Sequence, residues 1–245
     1  MTIAEMHWEL EFRYNKMNSN NQMSFSPLEK DAVFNNVIPK FVELIYKGSP
    51  EKSIIKGFEI NQQATDILSP LVINDEIVTV SNNAIDLANL THNYYHFLDL
   101  LVETDCGNFI MKVVQTDDLN MLLKDSFVMP SKQWRRGLIT FHNNLIKLHL
   151  PSNVNVTNVK LSYLRQPVKV YYGNYNTSLF SYAGYDSVNF TVNNVGYQAG
   201  DPPVDCDLPE IYHTVIVDYA VEHIAKMLYD GNQVQAMQDN ITQII

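Results

Sequence analysis

Apolar residues recur every three to four positions at both ends of the chain and every second position through its middle. Ile3, Met6, Leu10 and Tyr14 mark a first helix, followed by the polar linker Asn18-Ser19-Asn20-Asn21-Gln22. Ser26-Pro27-Leu28-Glu29 is a strong helix start: serine caps the orphan amides, proline occupies the first turn, and glutamate three residues on completes a capping box. Leu28, Val33, Val37, Phe41, Leu44 and Ile45 then form one stripe, which Gly48 and Pro50 end, so a helix is expected over about 27–47. A weaker helix is expected through Ile60–Leu68, ahead of Pro70.

Between about 71 and 200 the period falls to two. Glu76–Val80, Tyr94–Glu103, Phe109–Val114, Leu138–Phe141, Leu145–Leu150 and Val156–Tyr163 read as strands, with Asn143-Asn144 as a two-residue hairpin turn. Asp117 through Lys124 reads as a short helix with an acidic first turn. After Asp201-Pro202-Pro203 the helical period returns. Asp207 is expected to cap a helix that begins at Pro209 and buries Ile211, Val215, Ile216, Ala220, Ile224 and Leu228 up to Gly231; a last helix is expected from Gln233. Each terminal helix has a single apolar stripe that needs cover, so the ends should pack together. The expected class is α+β: a helical bundle from residues 1–70 and 201–245 around a central antiparallel β-rich insertion, 71–200.

Composition narrows the function. Of 245 residues, 46% are hydrophobic and 18% charged, which is a folded chain. The formal charge of −10 argues against general nucleic-acid binding, which needs a basic face. No apolar run approaches the roughly 18 residues of a membrane span, and Met1-Thr2-Ile3-Ala4-Glu5 does not open a secretory signal. The charge is also unevenly placed. Residues 1–123 carry 17 acids and 8 bases, residues 124–169 one acid and eight bases, and residues 186–245 nine acids and only Lys226. Such a chain either has solvated faces that differ or a means of docking to copies of itself or to a patterned partner.

No phosphate-binding loop, nucleophile elbow or zinc-protease motif occurs. His92 and His96 are four apart but sit where aromatic residues favour a strand. His213 and His223 face different ways on a helix, and Asp201, Asp205, Asp207 and Glu210 lack calcium-loop spacing. Cys106 has no base near it in sequence, and with Cys206 it makes neither a disulfide framework nor a zinc site. No catalytic residue, cofactor or metal is expected. Two segments have contact-surface chemistry. Lys132-Gln133-Trp134-Arg135-Arg136 is either a solvated loop or a docking patch with a hot-spot composition. The span 171–200, holding Tyr175, Tyr182 and Tyr185 among Asn, Ser and Gly, is either a recognition loop or an irregular cover. Val234, Met237, Ile241, Ile244 and Ile245 form a terminal stripe that packs on its own bundle or in a groove of another chain.

Several of these pieces resemble one family. Leu208-Pro209-Glu210-Ile211-Tyr212-His213 running into Val215-Ile216-Val217-Asp218-Tyr219-Ala220 is similar to the final helix of neck proteins in short-tailed phages, as is Tyr163-Leu164-Arg165-Gln166-Pro167. Gln115-Thr116-Asp117-Asp118-Leu119, Lys124-Asp125-Ser126-Phe127 and Pro130 are similar to ring or connector proteins of the crAss-like phages of Bacteroidetes, whose AT-rich genomes suit the 26 asparagines. The resemblance covers about a quarter of the chain. It implies a virion protein assembled in the bacterial cytoplasm: a head-to-tail adaptor, beneath the portal and beside other neck or tail rings. Such proteins form rings, commonly of twelve subunits, around the channel through which DNA passes without specific binding. It implies subunit contacts through Lys132, Trp134, Arg135, Arg136, Arg165, Tyr175, Tyr182 and Tyr185, and a C-terminal arm reaching the portal. A β-rich receptor- or carbohydrate-binding module is the alternative, with the tyrosine-rich span as its face; the flanking helices count against it.

Overall fold

The capping box at Ser26 forms as its sequence demands. Ser26 N–H donates to Glu29 Oε2 at 2.8 Å, and Ser26 Oγ accepts from Glu29 N. The helix it starts runs Pro27–Lys47 and ends where Gly48 takes φ +76° and donates to the Leu44 carbonyl. In this computed structural model residues 1–17, 25–48, 62–152, 154–173, 190–192, 195–197 and 202–227 are described. Two compact units result, Met1–Pro70 with Pro167–Ile245, and Leu71–Gln166.

The first unit is helical and built from both ends of the chain. Helices α1 (Ile3–Met17), α2 (Pro27–Lys47) and α3 (Gln62–Leu68) come from the N-terminal part, and a long C-terminal helix, His213–Met227, packs on α1 and α2. The α1 stripe Ile3, Met6, Leu10 and Tyr14 is fully buried. The buried face of α2 is broader than its expected stripe: Phe34, Ile38 and Val42 are buried with Val37, Phe41 and Ile45, while Leu28, Val33 and Leu44 are only half-buried. Both α3 and the C-terminal helix lie against α2, so more than one side of it needs apolar cover.

The C-terminal helix differs from expectation at its start. A 3-10 turn, Glu210–Tyr212, precedes it, and Ile211 is exposed. Asp207 does not cap the helix; its Oδ2 accepts from Val168 N–H at 3.2 Å. Asp205 serves α1 instead: beside the Thr2–Glu5 capping box, its Oδ1 accepts from Ile3 N–H at 2.6 Å, across 202 residues. His213 is buried, its Nδ1 3.0 Å from the Met1 carbonyl and its Nε2 2.9 Å from that of Leu208. The final helix expected from Gln233 lies outside the described residues.

The unit boundary falls at Gln166 and Pro167 rather than near 200. Residues 167–173 form a strap on the helical unit. Asn35 clamps Val170 by two hydrogen bonds, at 3.0 and 2.9 Å, and Asp31 Oδ2 accepts from Tyr172 N–H at 2.9 Å. Tyr171 and Val204 exchange backbone hydrogen bonds as an isolated antiparallel bridge. Asp31 is buried and its other oxygen meets His7 Nε2 at 2.7 Å, the His7 ring stacking on Phe34 and Tyr172. A two-stranded ribbon, Phe190–Val192 with Val195–Tyr197, also falls in this stretch of chain.

The second unit is one curled eight-stranded sheet. Its strands are β1 (Val72–Ile77), β2 (Val80–Ser81), β3 (Ala84–Asp86), β4 (Tyr94–Thr104), β5 (Gly107–Val113), β6 (Arg136–His142), β7 (Leu145–His149) and β8 (Val156–Arg165), and their order is β1-β8-β4-β5-β6-β7-β3-β2. The sheet is mixed rather than antiparallel throughout, because β5 and β6 pair in parallel across the excursion 114–135, which holds the short helix α4 (Leu119–Leu122). Alternate residues, among them Leu100, Val102, Phe109, Ile139, Leu161 and Tyr163, fill its core. Asn143 at φ +52° turns the expected β6–β7 hairpin. Asn82 and Asn83, at φ +52° and +58°, make a second such turn between β2 and β3.

Two polar features test this packing. Arg13 reaches from α1 to Asp218, a buried carboxylate on the C-terminal helix, while also holding Glu9. Arg13→Ala should cost about 2–4 kcal/mol in urea unfolding, since Asp218 is left buried and unpaired. Arg13→Met with Asp218→Leu should recover most of that loss; equal losses in single and double variants would contradict the pairing. In the sheet, Glu76 accepts from Thr91 N–H, Thr91 Oγ1 and Tyr163 OH at 2.7–2.8 Å. Burial opposes its charge, but these bonds outweigh burial and hold its carboxyl below the ordinary value. A depressed carboxyl contributes stability above its unfolded value of about 4.3, and that stability is lost as pH falls through the folded value. The urea midpoint of Glu76→Gln should therefore fall less between pH 5 and pH 3 than that of wild type; parallel acid profiles would contradict this.

Candidate assembly interface

The excursion between β5 and β6 presents the basic cluster. Asp125 opens a turn, its carbonyl accepting from Val128 and Met129 N–H and its carboxylate from Phe127 N–H at 2.9 Å. Ser131 and Arg136 then close on each other by two backbone hydrogen bonds, with Arg135 at φ +47° between them. Trp134 and Phe127 project from this frame, 73% and 85% exposed.

The basic residues of the cluster have different tasks. Arg136 is half-buried and its Nη2 donates to the Phe127 carbonyl, so it staples the excursion from within. The Arg135 guanidinium covers the turn between β4 and β5: a Cβ on Gly107, which has φ +107°, would lie 3.0 Å from Arg135 Nη1. The Arg135 carbonyl also accepts from Ile110 N–H at 2.9 Å. Lys132 is beside Cys106, whose sulfur raises its pKa above the ordinary value, with Asp105 adding to the effect. Cys106 Sγ is 2.9 Å from Asp105 Oδ1.

Lys132, Trp134, Arg135 and Arg136 are thus brought together, but Arg165 is not with them. The register carries Arg136 to Ile110, Leu101 and Lys160, whereas Arg165 lies opposite Tyr94, five residues further along β8. At about 3.3 Å per residue that is roughly 16 Å along the strand. Tyr175, Tyr182 and Tyr185 lie outside the described residues, as do Val234, Met237, Ile241, Ile244 and Ile245.

The candidate chemistries gain no geometry. His92 precedes β4 and His96 lies within it, so helical ligand spacing is absent. Among the described residues no group of three or more His, Cys, Asp and Glu side chains is placed to hold a metal. Burial pushes the Cys206 thiol up to about 11, which disfavours the thiolate. No helix among the described residues is long and apolar enough to cross a membrane.

The excursion is a hydrogen-bonded frame from which Phe127 and Trp134 project into solvent beside Lys132 and Arg135. No family model matches the chain. A curated protein does: Ring protein 4/5 of Bacteroides phage crAss001 is 23% identical over 241 residues, 95% of each chain. The chain is similar along nearly its whole length to a crAss-like phage ring protein. The resemblance first carried by scattered motifs is thus matched by a similarity over 95% of the chain.

The sequence had not singled out a second exposed aromatic group. Trp8 and Phe12 of α1 are 67% and 48% exposed, and their rings stack at 5.2 Å. Lys16 Nζ lies 5.4 Å from the Phe12 ring centre. The signal was available, since residues 8 and 12 are apolar but off the Ile3–Tyr14 stripe.

The internal role of Arg136 separates it from its neighbours. Arg136→Ala should speed chymotryptic cleavage after Phe127 about tenfold, by releasing a charge-assisted hydrogen bond. Trp134→Ser should leave that rate unchanged; equal effects would contradict the division of tasks.

Proposed function

We propose that this protein is a structural ring component of a phage virion. The observation that carries the reading is the similarity to a phage ring protein over 95% of both chains. Several features support it. The α+β layout joins both chain ends in one unit, the excursion 114–135 exposes Phe127 and Trp134, and the net charge is −10. In the finer reading the ring, of twelve copies, is a head-to-tail adaptor beneath the portal. An acidic wall would repel phosphate and let DNA slide, where a basic one would hold it. The protein would catalyse nothing, need no cofactor, and be found in the virion neck or tail. Residues 233–245 would reach the portal-side neighbour by their apolar stripe. No observation among the described residues favours the sugar-binding alternative: of its tyrosines, Tyr171 is buried and the Tyr172 backbone is held by Asp31, while Tyr175, Tyr182 and Tyr185 lie outside the described residues.

Sedimentation of the purified full chain tests the reading. A discrete assembly of many 28.1 kDa copies is expected at low salt, losing subunits as salt rises, because exposed charge pairs are screened beyond about 8–10 Å. Deleting residues 233–245 should leave the assembly and its melting temperature unchanged but abolish incorporation into virions. A chain that stays monomeric at every salt and concentration would contradict the ring. A large loss of stability on truncation would make the tail ordinary core and remove the portal contact.

A further inference from the structure

We infer that the Trp8–Phe12 ridge of one copy docks on the Phe127–Trp134 excursion of the next copy; this rests on the ring reading and names the surfaces that close it. Helix α1 already spends one stripe on its own core, with Ile3, Met6, Leu10 and Tyr14 buried. The ridge is a second, outward stripe at i, i+4 spacing, so its two stacked rings add little to the fold of their own unit. The excursion likewise holds Phe127 and Trp134 outward on a frame fixed by the Arg136–Phe127 and Ser131–Arg136 bonds. Both surfaces are aromatic and stand on hydrogen-bonded backbone, a helix for the ridge and a closed turn for the excursion, so less backbone entropy is lost on binding.

Charge selects the pairing. The helical unit carries 18 acids against 9 bases, while the β unit carries 9 against 8. Within the β unit, Lys132, Arg135 and Arg136 cluster in residues 126–136, where the nearest acids, Asp125 and Asp105, are engaged with the Phe127 N–H and with Cys106. At the N-terminal end of the ridge Glu5, Asp205 and Glu210 are exposed; Glu210 is paired with the Met1 ammonium, and Glu5 and Asp205 accept amides at the start of α1 but keep their charge. Two excursions facing each other would oppose like charges, as would two ridges at their acidic ends. Ridge against excursion sets opposite charges together and joins unlike surfaces. A contact between unlike surfaces is heterologous, so each copy keeps one free half and the next copy adds in the same sense until the ring closes.

Complementation of two broken variants tests this. Trp8→Ser with Phe12→Ser removes the ridge but keeps the excursion, and Trp134→Ser weakens the excursion but keeps the ridge. Each variant should melt like wild type, and its assembled fraction should fall at least tenfold. Mixing the two should give a dimer of twice the 28.1 kDa chain mass and nothing larger, because one intact ridge and one intact excursion remain. Wild-type assembly by either variant, or a mixture that stays monomeric while wild type assembles, would overturn the inference and leave the ring reading standing. A wild-type chain that never assembles would instead sink the ring reading, and this inference with it. A photo-crosslinker at Phe12 in the otherwise wild-type chain covers variants that fail to fold. Capture of a peptide spanning residues 127–136 from another copy is expected; capture confined to other segments or to a different virion protein would overturn the pairing.

Discussion

The helical unit depends on covering a C-terminal helix that is apolar on almost every side. Val215, Ile216, Val217, Ala220, Val221, Ile224 and Ala225 are all buried, and so are Asp218 and Glu222 between them. A helix buried all round needs neighbours on more than one face, and α1 and α2 supply them from the other end of the chain. Asp218 makes the arrangement specific. A buried carboxylate needs a partner, and Arg13 of α1 is that partner. Asp205 on the first α1 amide and Asp31 on the Tyr172 amide fix the remaining pieces. The ends of the chain are thereby committed to one body, and residues 71–166 form a sheet with a core of its own.

Local chemistry was legible wherever it decided the structure. The Ser26–Glu29 box, the Gly48 stop and the Asn143-Asn144 turn each act over a few residues, and each forms. The Asn82-Asn83 turn carries the same signal, but it joins strands of two and three residues, too short to show a period of two. The parallel β5–β6 pair was not legible, because the crossover between them holds only a four-residue helix. The strap at 167–173 was hidden too. Its hydrogen bonds go to Asp31, Asn35, Val204 and Asp207, and no nearby residue announces them. Among the candidate interface residues, the basic cluster was visible as composition. The stapling role of Arg136 and the covering of Gly107 by Arg135 appear only once β5 and β6 are paired. The Trp8–Phe12 ridge was legible in principle, since apolar residues off a complete stripe are the mark of a helix with a second duty.

The fold also redraws the charge. Along the sequence it runs acidic, basic, acidic; in the structure the helical unit carries most of the acid, and the β unit is near neutral, with Lys132, Arg135 and Arg136 clustered in one short segment after Asp125. Net charge of one sign keeps copies soluble and apart, while a local patch of the other sign orients the encounter that does occur. That combination suits a protein that must add to its neighbours in one direction.

The most direct measurement is electron cryomicroscopy of the purified full-length protein at low salt. The account predicts closed, rotationally symmetric particles in which the helical unit of each copy abuts the β unit of the next, around an opening wide enough for duplex DNA. Monomers alone, two-fold dimers, or symmetric particles with no central opening would contradict it.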